Sequence, residues 1–344
     1  MKIDFLIPNK FASHVVMCLM QGFHALGHEI FTNVPIDDLS YSRGISSPFS
    51  VTSKDFLQIT ESLVHDILIV DASLGLGGYE QAVFDIASKR YRPVVLVNMQ
   101  DESNFKDYPE EYLVFCAHQN IYATRFGRIF PIGFGLSEDI IIRSNAVDLG
   151  HKSNAIVRNF FPSFSQSVRN SLDLALVEGL EKYFEVDKRH TDADAYLTQL
   201  TSVGAVCAYG GEFMPDFRDH PYLNESWKKS GDTRYHFRSF EREMVVLRWD
   251  SWRFFEAAVM GCAPIHMDFE KYGMRLPVNP VAWESYIPVD MASVSDLAAK
   301  LHTESQKDNH FIQKIGAGAR EWVIANYAPK SQAAYVLDIV QKNA

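Results

Sequence analysis

The chain has 344 residues, which at roughly 100 to 200 residues per domain indicates two domains or one large domain with insertions. Hydrophobic residues make up 47% and charged residues 22%, a globular composition that excludes a mainly disordered, collagen-like or low-complexity chain. The net charge of −10 repels duplex nucleic acid on average, so nucleic acid is not expected as a partner unless a local basic groove exists.

The cysteines and the apolar segments bear on the cellular compartment. Cys18, Cys116, Cys207 and Cys262 form no C-x-x-C pair and have no histidine at metal-ligand spacing, so we expect reduced, buried side chains. The apolar run at the start is too short for a signal peptide and is interrupted by Asp4. No segment approaches the about 18 apolar residues of a membrane span. The sequence therefore predicts a cytoplasmic protein without an integral membrane segment.

The first third of the chain alternates strand-like and helix-like segments. Residues 66–71 and 93–98 are apolar on both faces, as strands are when helices cover both sides of a sheet. This alternation predicts parallel strands joined by helical crossovers. The predicted strands are 2–7, 28–33, 66–71, 93–98 and 120–124, and the predicted helices are 13–26 and 78–90.

A second alternating series begins after a polar stretch, and this places a domain boundary near residue 150. We therefore expect an α/β protein with two Rossmann-like domains, 1–150 and 151–344, and a ligand site in the cleft that their parallel sheets face. Residues 212–240 are polar and aromatic and are interpreted as an insertion or lid. The predicted strands of this half begin at 154 and then cover 204–209, 243–248, 262–268 and 285–289, with helices at 166–183, 194–201, 250–260, 294–302, 311–327 and 330–341.

The segment 248–268 contains the most informative chemistry. Asp250 or Ser251 is positioned to cap a helix whose first N–H groups are free to bind an anion. Arg253, in the first turn, can add a charged contact to a phosphate oxygen. Glu256 shares a face with Arg253 among apolar neighbours, where a carboxylate needs a partner such as a ribose diol. The alternative is that Glu256 only pairs with Arg253 on a solvated helix edge and that Ser251 is only a cap.

This segment resembles the carboxyl-terminal domain of GT-B glycosyltransferases, including the exostosin-like branch. The shared pattern is a Ser-x-Arg-x-x-Glu-Ala helix followed by a Gly-Cys-x-Pro-Ile strand, matched here by Ser251, Arg253, Glu256, Gly261, Pro264 and Ile265. The resemblance implies a nucleotide-sugar donor held by this helix, with the arginine near the diphosphate and the carboxylate on the ribose. Many retaining members carry another glutamate at the position of Arg248, so the stereochemical outcome stays open.

The resemblance also extends to the two ends of the chain. The opening strand, loop and helix, which ends in Leu26-Gly27-His28, look like the start of the family's acceptor domain. The segments 319–323 and 326–329 resemble terminal helices that pack back on the first domain. The expected activity is transfer of a sugar from a nucleotide-diphosphate sugar, the co-substrate, to an unidentified small-molecule, glycan or other acceptor. No metal or other cofactor is expected.

Further candidates follow from the chemistry of sugar transfer, which must neutralise a departing diphosphate and, in an inverting enzyme, deprotonate the acceptor. Arg158, after the first strand of the second half, is a second candidate cation, and a surface charge is the alternative. His14 is a candidate base because its pKa is near neutral, with a local hydrogen bond as the alternative. Asp71 and Asp101 follow strands and are rival candidates.

Glycines and acidic pairs offer weaker signals. Gly210 and Gly211 end a strand where the backbone can approach phosphates, or they form a simple turn. Asp192 and Asp194 form a D-x-D pattern that fits a helix start better than a metal site.

Three alternative functions stay open at this point. A dinucleotide oxidoreductase is suggested by the glycines at positions 75, 77 and 78, although the spacing is not G-x-G-x-x-G. A GT-B-shaped epimerase or phosphorylase would share the donor helix. A binding protein without catalysis would keep only the cleft.

Overall fold

Parallel strands alternate with helices in the computed structural model, which describes residues 1–8, 11–34, 40–41, 52–53, 65–89, 92–100, 107–121, 127–160, 167–214, 245–249 and 251–343. The chain divides into two units. Unit 1 comprises Met1–Ala117, Thr124–Ile141 and Ala325–Ala344, and unit 2 comprises His118–Ala123 and Ile142–Ile324. Apart from the short segment His118–Ala123, the chain passes from unit 1 to unit 2 within a helix near residue 141 and returns within another near residue 325.

Unit 1 contains a seven-stranded parallel sheet with the order β5-β3-β1-β6-β7-β8-β9, and a short parallel pair, β2 with β4. Helices α1 and α2 connect strands of this sheet, and the last helix of the chain, α9, belongs to the same unit. The elements of unit 1 are β1 (Lys2–Leu6), β2 (Phe11–Ala12), α1 (His14–Ala25), β3 (Glu29–Thr32), β4 (Ser40–Tyr41), β5 (Thr52–Ser53), β6 (Ile67–Asp71), α2 (Glu80–Ser88), β7 (Val94–Asn98), β8 (Leu113–Cys116), β9 (Arg128–Pro131), most of α3 (Glu138–Ser144) and α9 (Pro329–Asn343).

The strands of unit 1 show why both faces of a parallel sheet need apolar residues. In β6, Ile67 and Ile69 join the core cluster that includes α1 and α9, whereas Leu68 and Val70 join the cluster that includes α2. Successive side chains of a strand point to opposite faces, so a continuous apolar run fills two cores. Burial of these side chains, worth about 1.5–3 kcal/mol for each large one, stabilises the central strands.

Unit 2 contains a five-stranded parallel sheet with the order β11-β10-β12-β15-β16 and a separate antiparallel ribbon, β13 with β14. A three-residue 3₁₀ turn, Met291–Ser293, directly precedes the helix that begins at Val294. The elements of unit 2 are β10 (Ile156–Val157), α4 (Ser167–Glu181), β11 (Val186–Asp187), α5 (Ala193–Gln199), β12 (Ala205–Cys207), β13 (Glu212–Met214), β14 (Val245–Leu247), α6 (Trp252–Val259), β15 (Ala263–Met267), β16 (Ile287–Val289), α7 (Val294–Lys307) and most of α8 (Phe311–Tyr327).

One predicted strand is wrong, and another is formed but pairs differently from what was expected. The strand expected at 120–124 is not formed by Asn120 and Ile121, which join the loop of unit 2 at Met274 and Gly273, and the apolar segment Leu113–Cys116 forms β8 instead. The strand expected at 243–248 was assigned to the parallel series, but β14 pairs antiparallel with β13. After β12 the chain passes through Gly211, which has φ +106°, and β13 then pairs with β14 and not with the five-stranded sheet.

Two other sequence expectations, on the cysteines and on Asp192, are confirmed. All four cysteines are buried and have free thiols. The side chain of Asp192 caps α5 by accepting the N–H of Ala195 at 2.9 Å, so the D-x-D pattern is a helix start. Within the described ranges, no helix is both long enough and apolar enough to cross a bilayer.

Candidate functional site

The order of the strands identifies one special position in each sheet. In unit 1 the chain continues from β1 to β3 on one side and later returns to β6 on the other side of β1. In unit 2 it continues from β10 to β11 and returns to β12 on the other side of β10. Parallel α/β sheets bind ligands beyond the carboxyl ends of the strands at such switch points. The residues after β1 and β6, and those after β10 and β12, are therefore the first to consider.

At the switch point of unit 1, Asp71 bonds the N-cap of α1, the residue directly before His14. Asp71 is 4% exposed, and its Oδ2 accepts the backbone N–H of Ser13 at 2.6 Å. Ser13 caps α1, and His14 is the first residue of that helix. Burial raises the pKa of the Asp71 carboxyl above its usual value, although hydrogen bonds from Ser13 and Ser73 act in the opposite direction.

His14 is partly buried at the start of α1, and its Nε2 lies 3.5 Å from the Sγ of Cys18. This contact, one helical turn away, is the local hydrogen bond that the sequence offers as the alternative to a catalytic role. Asp101, the third candidate, lies outside the described residues.

At the switch point of unit 2, the segment after β10 binds the candidate cation of α6. The Nε of Arg253 donates to the backbone oxygen of Asn159 at 2.9 Å. Asn159 is itself fixed, because its Oδ1 accepts the backbone N–H of Thr191 at 3.0 Å. The guanidinium of Arg253 is therefore held at the carboxyl end of β10.

A second arginine, which the sequence analysis did not single out, lies beside Arg253. Arg169, in the first turn of α4, donates from Nε to the backbone oxygen of Tyr209 at 3.2 Å, and its guanidinium lies 4.5 Å from the centre of the Phe160 ring. Burial, together with the positive charge of Arg253, lowers the pKa of Arg169 to about 10. The only sequence signal was its place at the start of a predicted helix that follows a strand.

Arg158, Arg169 and Arg253 form an arginine cluster in unit 2, and Arg158 has a different role from the other two. Its Nη2 lies 3.0 Å from Oδ2 of Asp173, its side chain is 13% exposed, and the hydroxyl of Tyr209 donates to the other oxygen of Asp173 at 3.2 Å. Arg158 is therefore not a surface charge, and its charge is balanced by Asp173. The excess positive charge of the cluster comes from Arg169 and Arg253.

Helix α6 begins where the sequence predicts. Ser251 is the N-cap, and its Oγ accepts the N–H of Arg253 at 3.3 Å. Glu256 is only 7% exposed, so the alternative of a solvated helix edge is wrong. Phe254 and Phe255 are buried next to it, which places the carboxylate in apolar surroundings. Asp250, the other candidate cap, lies outside the described residues.

The turn after β12 and the end of β14 form the last part of this region. Gly210 is buried, and Gly211 has φ +106°, with its carbonyl accepting the N–H of Val168 in α4 at 3.1 Å. A Cβ on Gly211 would lie 2.3 Å from the oxygen of Leu247, so only glycine fits. Arg248 has φ +52°, and its Nη1 lies 3.2 Å from Oε1 of Glu212.

The chain resembles known proteins in its structure and not in its sequence. No protein-family model and no curated protein sequence matches it. Solved structures do. An α-glucosyltransferase in complex with UDP and a 13-mer DNA containing a central A:G mismatch has a TM-score of 0.53 at 11% identity, over 99% of this chain and 100% of the other. An α-glucosyltransferase with UDP and DNA containing an HMU base has a TM-score of 0.54 at 11% identity, over 99% of both chains.

A third structure agrees with these two. A glycosyltransferase from Rickettsia africae has a TM-score of 0.51 at 11% identity, over 99% of this chain and 98% of the other. The fold is that of the GT-B glycosyltransferases. The predicted fold class, two Rossmann-like halves with parallel sheets, is therefore confirmed. In this GT-B fold, unit 2 carries the arginine cluster and α6, and unit 1 carries His14 and Asp71.

Proposed function

We propose that this chain is a glycosyltransferase that moves a sugar from a nucleotide-diphosphate sugar to an acceptor. The observation that carries the proposal is the pair Arg169 and Arg253 at the switch point of unit 2. Arg253 donates to the backbone of Asn159 and Arg169 lies over the ring of the next residue, Phe160, so the two guanidinium groups lie near each other, and a bound dianion would offset their repulsion. A diphosphate has the charge and the oxygen geometry that this pair requires.

The other residues of unit 2 fit the rest of a nucleotide donor. The capped start of α6 adds the positive end of a helix dipole near the phosphates. Glu256, whose carboxylate is buried, would accept hydrogen bonds from the ribose hydroxyl groups. The backbone at Gly210 and Gly211 would contribute contacts to the phosphates, and Arg158 balances the charge of Asp173.

Charge neutralisation by arginine and a helix terminus supports transfer that does not depend on a metal ion or any other cofactor. Addition of a chelator should then leave the rate of transfer unchanged. We assign the acceptor side to unit 1, with His14 or Asp71 as the base that removes the acceptor proton. Duplex nucleic acid is not proposed as the acceptor, because the net charge of −10 opposes its approach.

Calorimetry with UDP, GDP and dTDP, with NAD⁺ and NADP⁺ for contrast, tests the proposal. We expect micromolar binding of one nucleoside diphosphate and a loss of about tenfold to a hundredfold in Arg169→Ala and in Arg253→Ala, because hydrogen bonds to charged groups contribute about 1.5–3 kcal/mol each. Arg189→Ala is the matched control, since Arg189 is exposed in the same unit. Binding of NAD⁺ but of no nucleoside diphosphate would refute the proposal.

Donor turnover separates an enzyme from a binding protein. Slow hydrolysis of the bound sugar nucleotide should be measurable, and analysis of the products distinguishes a transferase, which releases nucleoside diphosphate, from an epimerase, which returns an altered donor. The variants Asp71→Asn and His14→Asn should keep nucleotide binding. The one that lowers turnover identifies the base.

A further inference from the structure

Arg248 and Glu212 form a buried ion pair that the proposed roles above leave unexplained. Their side chains are 12% and 11% exposed, and Nη1 of Arg248 lies 3.2 Å from Oε1 of Glu212. Glu212 is the first residue of β13, and Arg248 directly follows Leu247, the last residue of β14, which is opposite Glu212. Such a pair contributes little net stability, because both charges lose their hydration.

The backbone of Arg248 adds a second cost. Its φ of +52° is in the left-handed region, which costs a residue other than glycine on the order of 1–3 kcal/mol. An arginine held in this conformation and buried with a glutamate is poorly explained by folding alone. Observed strain of this kind is concentrated where a ligand is bound.

The pair lies beside the arginine cluster along the chain. Glu212 directly follows Gly211, whose carbonyl is bonded to Val168, the residue before Arg169. Arg169 itself bonds the carbonyl of Tyr209, three residues before Glu212. On the other strand, Arg248 is separated from the N-cap Ser251 by two residues. The pair therefore belongs to the same carboxyl edge of unit 2 as Arg169 and Arg253.

The chemistry of the pair indicates which part of a ligand it can bind. A carboxylate next to a diphosphate would be repelled, but the guanidinium of Arg248 offsets that repulsion and holds the side chain of Glu212 in place. An ionised carboxylate only accepts hydrogen bonds. The group attached to a donor diphosphate that offers hydroxyl donors is the sugar.

We propose that Glu212 binds a hydroxyl group of the sugar to be transferred and that Arg248 positions the side chain of Glu212. The pair would then select donors according to the sugar that they carry. This inference rests on the proposed function. It concerns the sugar alone, whereas the arginine cluster concerns the diphosphate, and the two can therefore be tested separately.

The test compares the affinity for UDP with the affinity for UDP-glucose, UDP-galactose and UDP-N-acetylglucosamine, or for GDP and GDP-mannose if calorimetry selects GDP. The dissociation constant of UDP divided by that of the UDP-sugar measures how much affinity the sugar adds. We expect Glu212→Gln to lower this ratio by about tenfold while binding of UDP changes less than twofold, because only the sugar contact is lost. Glu178→Gln, an exposed glutamate of α4, is the control.

Two further measurements separate sugar binding from a structural role. Glu212→Asp keeps the charge and should restore part of the ratio, and Arg248→Met should lower it as Glu212→Gln does. Donors that lack a single hydroxyl group complete a thermodynamic cycle. When the missing hydroxyl group is the one that Glu212 binds, the wild type should lose about tenfold in affinity for the donor. Glu212→Gln should lose little, because this variant already lacks the contact.

Each outcome has a distinct meaning. If no nucleoside diphosphate binds, the proposed function fails and the inference fails with it. If UDP binds but the sugar adds no affinity, or if Glu212→Gln leaves the ratio unchanged, the inference is overturned and the proposed function stands. If Glu212→Gln does not fold, the donors lacking one hydroxyl group, measured on Glu212→Asp and the wild type, decide the matter in the same way.

Discussion

His266 shows how one buried side chain supports the start of α6. It is fully buried in β15, with Nε2 3.1 Å from the carbonyl oxygen of Trp249 and Nδ1 3.1 Å from that of Met267. Trp249 is two residues before the N-cap Ser251, so the imidazole helps to fix where the helix begins. Burial lowers the pKa of His266 to about 4, and the ring is therefore neutral at pH 7.

This burial predicts how stability depends on pH. The folded-state pKa of about 4 lies below the ordinary value of 6.5, so between these values the unfolded chain binds the proton and the folded chain does not. The contribution of His266 is present above pH 6.5 and is lost as the pH falls toward 4, by roughly 3 kcal/mol in total. Urea unfolding from pH 7.5 to pH 4.5 measures it.

A variant isolates this residue from the other titrating groups. His266→Gln cannot be protonated in this range, so its unfolding free energy should fall less steeply with decreasing pH than that of the wild type. Equal slopes for the two proteins would show that His266 does not carry the effect.

At the scale of elements, close approach of helices decides where small residues are required. Gly22 lies in α1 against the start of α9, and a Cβ on it would lie 1.9 Å from the backbone oxygen of Pro329. The backbone cannot move as a side chain can, so this contact requires glycine. The close packing of α9 against α1 thus depends on Gly22, and the amphipathic pattern of α9 does not indicate this.

Two helical glycines form a matched pair for testing this packing. Gly22→Ala should destabilise the protein by about 2 kcal/mol or more, because overpacking separates α1 from α9. Gly179→Ala in α4 should be neutral or slightly stabilising, since its Cβ would lie 3.4 Å from the Cβ of Ala298 and alanine favours the helix. The midpoint of thermal unfolding reports both. A similar decrease for the two variants would contradict the assigned contact.

At the scale of the whole molecule, the local and the net charge have opposite signs. The chain carries −10, yet Arg169 and Arg253 form a small positive site in unit 2. A compact anion is attracted by the local positive charge of such a site. A long polyanion is also repelled by the acidic surface around the site, so the site suits the compact anion better. This contrast separates nucleotide binding from nucleic-acid binding.

The contrast can be measured directly. A short DNA duplex should show no mobility shift with the protein at micromolar concentrations and physiological salt, and it should not receive sugar when a donor is present. Nucleoside diphosphates should bind under the same conditions. A shift that weakens steeply as the salt concentration rises would reveal a basic groove and would reopen nucleic acid as an acceptor.

Much of the fold could be predicted because its signals are local. The apolar runs of β6 and β7, the cap at Ser251 and the N-cap at Asp192 depend on residues adjacent in the sequence. The strand β8 was missed although its four residues are all buried, because short apolar runs do not distinguish strand from helix or loop. The ribbon was misassigned because pairing partners are not encoded by either strand alone.

The features of the candidate site likewise divide into those set by local sequence and those set by tertiary contacts. The sequence by itself determined the alternation of strands and helices, the capped helix with Arg253 and Glu256, and the acidic net charge, since each follows from residue type and spacing. Only the tertiary structure brought Arg169 beside Arg253, joined Glu212 to Arg248 and bonded Asp71 to the cap of α1. These residues lie far apart in the chain, and only the order of the strands makes them neighbours.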